Sequence, residues 1–142
     1  MTSNQSHQAL VFGSISIDKI INKYGTYNDV LGGSASYALL ATKSKECQLV
    51  GMVGSDFPKN HFNLLGNHSI NLDDLKIEEG KTFSWGGEYA HDFSSRETLY
   101  VDPGVSEKFE PILSKHSRQC EYLLLGNTHP KLQLEVLNQI ES

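Results

Sequence analysis

Apolar positions along this chain fall into short runs separated by polar and glycine-rich breaks. The run Ala9-Leu10-Val11-Phe12-Gly13, prolonged through Ile15 and Ile17, predicts a buried first strand that delivers the polar Asp18 at its carboxyl end. Lys19-Ile20-Ile21-Asn22 and Tyr27-Asn28-Asp29-Val30-Leu31 predict short strands around a turn at Tyr24-Gly25-Thr26. Gly32-Gly33 then precedes Ser34, a good N-cap residue. Ala35, Ala38, Leu39 and Thr42 repeat at i, i+3, i+4 and i+7, the face of a short helix, so the glycines are expected at a helix N-terminus.

Gln48-Leu49-Val50-Gly51-Met52-Val53-Gly54 predicts a second buried strand, and Pro58 suits the first turn of a helix carrying Phe62 and Leu65. From Lys76 to Val101 the period changes. Thr82-Phe83-Ser84-Trp85 and Thr98-Leu99-Tyr100-Val101 alternate about the polar stretch from His91 to Glu97, which predicts an antiparallel hairpin. Pro103-Gly104 and Pro111 mark a loop, and Tyr122-Leu123-Leu124-Leu125-Gly126 predicts a third core strand. Pro130 opens a helix with Leu132, Val136 and Ile140 inward. Repeated strand and helix units around an inserted hairpin indicate an α/β fold with a partly parallel sheet and flanking helices. Ligands of such sheets gather outside the carboxyl ends of the strands, where Asp18, Gly32, Gly33, Asp56 and Asn127 are expected.

The chain has 142 residues, 38% hydrophobic and 20% charged, which fits one globular domain over 1–142. No apolar run approaches the ~18 residues of a membrane span, and the first seven residues lack the charge and apolar core of a signal peptide, so a cytoplasmic protein with no membrane partner is expected. Net charge is -5, and the excess of acid lies in the second half. No nucleic-acid partner is expected from that balance, since such affinity rests on clustered Lys and Arg. Cys47 and Cys120 form no CxxC pattern and read as buried reduced thiols.

Several motifs are discarded on context. Gly80-Lys81-Thr82 imitates the end of a phosphate-binding loop, but Leu75 stands where that loop needs a glycine, and strand follows. Asn138-Gln139-Ile140-Glu141 fits an Asn-x-x-Glu pattern but falls on the last helix, where packing explains it. The six histidines show no i, i+4 pair, so no metal site is expected.

What remains is Gly13-Ser14-Ile15-Ser16-Ile17-Asp18, then Leu31-Gly32-Gly33-Ser34-Ala35-Ser36-Tyr37-Ala38, then Val50-Gly51-Met52-Val53-Gly54-Ser55-Asp56-Phe57-Pro58. In order and spacing these three segments resemble the amino-terminal half of the ribokinase or PfkB-type carbohydrate kinase family. That family opens on a strand ending in Asp, continues with a Gly-Gly helix start, and then has a Val-Gly-x-Val-Gly-x-Asp segment. The likeness extends through the hairpin, matching the family's lid, to Leu124-Leu125-Gly126-Asn127.

The resemblance implies a ribokinase-like fold, incomplete in this chain, with lid segments at about 19–31 and 76–101. It implies transfer of the γ-phosphate of ATP, with magnesium, to a hydroxyl of a sugar or nucleoside. Asp18 would accept hydrogen bonds from substrate hydroxyls, and Gly32 and Gly33 would let the backbone approach the sugar. Tyr37 stands where many relatives have a sugar-binding Asn; it can donate a hydrogen bond and offers a stacking face. Asn127 is a further substrate-binding candidate, and Asp56 reads as a cap or turn former. Phe83, Trp85 and Tyr89, with Arg96 nearby, would form a lid that excludes water and pairs with a second copy in a homodimer. The family's Gly-x-Gly-Asp motif, which carries the general base, occurs nowhere in the 142 residues. No catalytic residue, ATP site or metal site is therefore expected in this chain, which reads as the substrate-binding and lid half, inactive alone. The alternative is a non-catalytic sugar-binding or dimerising module of the same half-fold. A flavodoxin-like nucleotide-binding domain would need a phosphate loop that is missing.

Overall fold

The first apolar run divides into two strands that enter different sheets. The structure, a computed structural model, describes residues 8–42 and 46–141; the amino-terminal segment considered for a signal peptide lies outside them. In chain order the elements are β1 (Ala9–Phe12), β2 (Ser16–Asn22), β3 (Gly25–Gly32), α1 (Ser34–Leu40), β4 (Cys47–Gly54), α2 (Lys59–His68), β5 (Leu75–Glu78), β6 (Ser84–Tyr89) and β7 (Arg96–Asp102). A 3-10 turn (Gly104–Lys108), α3 (Lys115–Arg118), β8 (Tyr122–Leu125) and α4 (Pro130–Leu137) complete it.

One sheet has the order β5-β4-β1-β8 and is parallel throughout, with Val11 of β1 opposite Leu49 and Leu124. Helices cover it on both sides, which is why β1 and β4 read as unbroken apolar runs. Alternation divides the core. Val11, Leu49 and Val53 pack with Ala35 and Leu39 of α1 and Leu65 of α2. Leu10, Phe12 and Val50 turn the other way, onto Leu113, Cys120 and Val136 of α4. Both cysteines are free thiols in these clusters, and burial pushes each thiol pKa up. Asp74, nearly buried before β5, accepts the Ser114 N–H at 2.8 Å, the Ser114 hydroxyl at 2.9 Å and the Ser117 hydroxyl, tying α3 to the sheet.

The second sheet and the helix starts correct several expectations. The second sheet has the order β3-β2-β6-β7, two antiparallel hairpins joined by a parallel β2–β6 ladder, so the segments expected as a lid form a four-stranded mixed sheet and not one small hairpin. Residues 76–78 of the second of those segments belong to β5 in the parallel sheet, and its share of the mixed sheet begins at Ser84. Asp18 lies inside β2, beyond the break at Gly13-Ser14-Ile15, and not at the end of the first core strand. Pro58 is the N-cap of α2 and not part of its first turn, so the helix begins one residue later than expected, at Lys59. No described helix is long and apolar enough to cross a membrane.

Candidate functional site

The Ser16 hydroxyl on the same strand and the backbone of Trp85, its ladder partner on β6, both favour the charged form of the Asp18 carboxylate. Burial outweighs them and pushes the carboxyl above its ordinary range. Oδ1 is buried and has no hydrogen-bond partner in the fold. A carboxylate oxygen withdrawn from water and left unpaired is costly, and a hydroxyl donor from a ligand would relieve that cost.

Gly32 and Gly33 make this placement possible for different reasons. Gly32 faces Ser16 across the β2–β3 ladder, and a Cβ there would overlap Asp18 Oδ2. Gly33 has φ +97° and presses on the Ser14 carbonyl, so a side chain would be both strained and obstructed. It is Gly33, not Ser34, that caps α1. The Ser34 hydroxyl does other work: it accepts the N–H of Ser14 at 3.2 Å and of Asn127 at 2.9 Å, and lies 3.2 Å from the Ser14 hydroxyl. One side chain thereby joins the carboxyl ends of β1 and β8 to the start of α1. Gly13 and Gly126 leave it room, since a Cβ on either would come within 2.5 or 2.6 Å of the hydroxyl. The Ser14–Ser34 pair was not singled out from sequence; serines following glycines at the ends of two strands and a helix were the available signal.

Beside this hub opens a cleft of about 1070 Å³, lined by Gly13, Ser14, Ile15, Phe83, Phe109 and Asn127 among others. The expected site residues thus divide. Asn127 and Phe83 line the cleft, whereas Asp18, Gly32 and Trp85 lie on the second sheet, connected to it through residues 13–16. Tyr37 is 63% exposed, with its hydroxyl donating to the Leu31 carbonyl at 3.4 Å. Tyr89 and Arg96 face each other at the far end of the β6–β7 ladder. Asp56 is structural: its Oδ1 accepts both the N–H and the hydroxyl of Thr82 at 2.7 Å, while the Thr82 hydroxyl accepts the Gly54 N–H at 2.9 Å. That arrangement roots the β6–β7 hairpin and commits Thr82 of Gly80-Lys81-Thr82 to the fold. Gln139 likewise spends its side chain on the Leu113 N–H and the Pro111 and Glu135 carbonyls.

No family model and no curated protein matches the chain. Solved structures do. A nucleoside kinase from Methanocaldococcus jannaschii, an archaeal member of the ribokinase family, aligns over 94% of this chain and 48% of its own, at TM-score 0.63 and 19% identity. A ribokinase from Cryptococcus neoformans in complex with ADP aligns over 83% of this chain and 41% of its own, at TM-score 0.65 and 19% identity. A fructokinase from Halothermothrix orenii aligns over 94% and 53%, at TM-score 0.64 and 14% identity. The fold is therefore ribokinase-like, and the chain spans about half the length of these structures.

Proposed function

We propose, from this ribokinase-like fold, that the chain is the substrate-binding and lid portion of an ATP-dependent kinase that phosphorylates a hydroxyl of a carbohydrate or nucleoside. The unpartnered, buried Oδ1 of Asp18 carries the reading. A carboxylate that the fold desolvates without satisfying is poised for a polyol, whose hydroxyls can donate to it where no protein group does. Gly32 leaves room for that carboxylate, Gly33 allows the close approach of the backbone after it, Tyr37 and Asn127 are further substrate-binding candidates, and Phe83, Trp85, Tyr89 and Arg96 supply the lid. The structural neighbours act on nucleosides and sugars by name, and one is described with ADP.

The residues present do not fit a nucleotide and its metal. Among the described residues there is no group of three His, Cys, Asp or Glu that could hold an ion. The one glycine-lysine-threonine run has its threonine committed to Asp56 and Gly54. We therefore assign no catalytic residue and derive no transfer step from this chain, and propose that it is inactive alone. Asp18 is a binding residue in this scheme and not the base.

Titration calorimetry of the 142-residue chain against a panel of sugars and nucleosides tests the reading. Removing a charge-assisted hydrogen bond of about 1.5 to 3 kcal/mol by Asp18→Ala should weaken affinity roughly 10- to 150-fold. Affinity that Asp18→Ala leaves unchanged would sink the assignment.

A further inference from the structure

Strand β3 lies at one edge of the second sheet, and an edge strand carries a row of carbonyls with no strand to pair with. Two β3 carbonyls are met instead by side chains from the helices that pack on the first sheet. The Tyr37 hydroxyl of α1 donates to the Leu31 carbonyl at 3.4 Å, and His61 of α2 meets the Asp29 carbonyl through Nε2 at 2.6 Å. A carbonyl can only accept, so Nε2 of His61 carries a hydrogen and donates it. Phe57, packed on the first core cluster, lies tilted against the imidazole with 6.0 Å between ring centroids.

Asp29 has φ +54°, in the left-handed region that residues with a side chain seldom adopt. Asp18 pairs with Val30 and Ile20 with Tyr27, so Asn28 and Asp29 together oppose Lys19 in a β-bulge. A second irregularity lies at the same height. Gly86, the β6 partner of Lys19, pairs with Tyr100, whereas Gly87 pairs with Thr98, which leaves Leu99 unopposed. The regular ladder is therefore broken along one line across the sheet. Asp18, Val30, Trp85 and Val101 lie on the side joined to the first sheet, and both hairpin ends lie on the other. Those ends are bound to each other, with Lys23 over the Tyr24 and Phe93 rings, so a displacement of one is shared by both.

Resting on the reading that Asp18 receives a polyol, we propose that His61 is a positioning residue for that carboxylate. By holding the Asp29 carbonyl it pins the bulge to α2, and movement of the hairpin ends is kept from Val30 and from Asp18, its ladder partner. Tyr37 holds the carbonyl on the other side of Val30, so the residue opposite Asp18 is bracketed by two bonds to the helices of the first sheet. A left-handed aspartate in a bulge needs such a hold, because a strained backbone persists only where its surroundings fix it. His61 touches no substrate in this scheme and acts only through Asp18.

The 142-residue chain is titrated with ribose, fructose and adenosine by calorimetry, and amide hydrogen exchange is followed residue by residue. His61→Ala should weaken binding of whichever of these the parent chain holds by roughly 2- to 10-fold, the worth of one hydrogen bond. His61→Gln, which keeps an N–H near the position of Nε2, should recover part of that loss. In the Asp18→Ala background His61→Ala should cost nothing further, since a residue that acts through Asp18 has no effect once Asp18 is gone. Amides of residues 28–32 should exchange faster in His61→Ala while those of β1 and β4 keep their protection. Unchanged binding, or an equal loss in both backgrounds, overturns the positioning role and leaves the Asp18 reading standing. Loss of protection in β1 and β4 as well also overturns it, and makes His61 a residue of general stability. Binding of none of the three, or binding indifferent to Asp18→Ala, overturns the Asp18 reading and the role of His61 with it.

Discussion

At Asp18 two demands oppose each other, since the burial that prepares the carboxylate for a ligand also penalises its charge in the free protein. The folded carboxyl titrates above its ordinary 3.8, so the folded chain holds the proton to higher pH than the unfolded chain does. Between those two values the folded state binds more protons, and stability falls as pH rises. The favourable contribution is full below 3.8 and is lost as pH passes the raised folded value. Asp18→Asn removes that loss: relative to the parent chain, its melting temperature should rise as pH is taken from about 3.5 to 7, while polyol binding disappears. Thermal melts at the two ends of that range decide it, and a difference independent of pH refutes the linkage. Gly32→Ala should mimic the binding defect of Asp18→Ala, because the new methyl displaces the carboxylate itself. Asp56→Ala acts on stability instead. It strips the acceptor from the buried Thr82 N–H and should cost about 1 to 3 kcal/mol in urea unfolding, with Asp56→Asn recovering most of the loss.

The second sheet is an element that neither hairpin could form alone. A two-stranded ribbon is marginal in water, and the parallel β2–β6 ladder converts two such ribbons into one four-stranded sheet. Both hairpins were visible in the sequence through alternation and turn residues, as was the helix after Gly32-Gly33. The ladder that joins them was not, because residues 17–21 and 84–88 are far apart in sequence and nothing local encodes their pairing. The same limit let the apolar stretch from Ala9 to Asp18 read as one strand: hydrophobicity continues across Gly13-Ser14-Ile15 although the backbone changes sheets there. The outer strand β7 presents Leu99, Tyr100 and the 58% exposed Val101 on an unpaired edge. Self-association through residues 82–101 should follow, seen as a dimer in sedimentation at high micromolar concentration and reversed by Val101→Lys. A monomer throughout that range would rule this edge out as the contact.

Across the whole molecule, the described residues bury two apolar clusters on either side of the parallel sheet yet leave Tyr122 and Leu124 of β8 and Leu134 and Leu137 of α4 exposed. An apolar edge of that kind should bind a hydrophobic dye, and Leu124→Lys with Leu134→Glu should reduce the signal without lowering the melting temperature. No sugar-dependent ATP consumption is expected from the purified chain; turnover that Asp18→Ala abolishes would show that it carries its own phosphate site. Pattern and composition alone determined the α/β class, most of the strands and helices in their order, and the burial of both cysteines, while the resemblance of three segments in register to a known family pointed to the ribokinase-like fold. Each of these depends on local periodicity or on residues whose spacing along the chain is itself the signal. Tertiary structure alone decided that Asp18 stands in the second sheet with an unpaired oxygen, that Ser34 binds two strand ends rather than capping its helix, that Asp56 roots the β6–β7 hairpin, and that Arg96 stacks on Trp85. Those are partnerships between residues 11 to 93 positions apart, and a hydrogen bond or a ring contact across such distances exists only once packing has brought its two ends together.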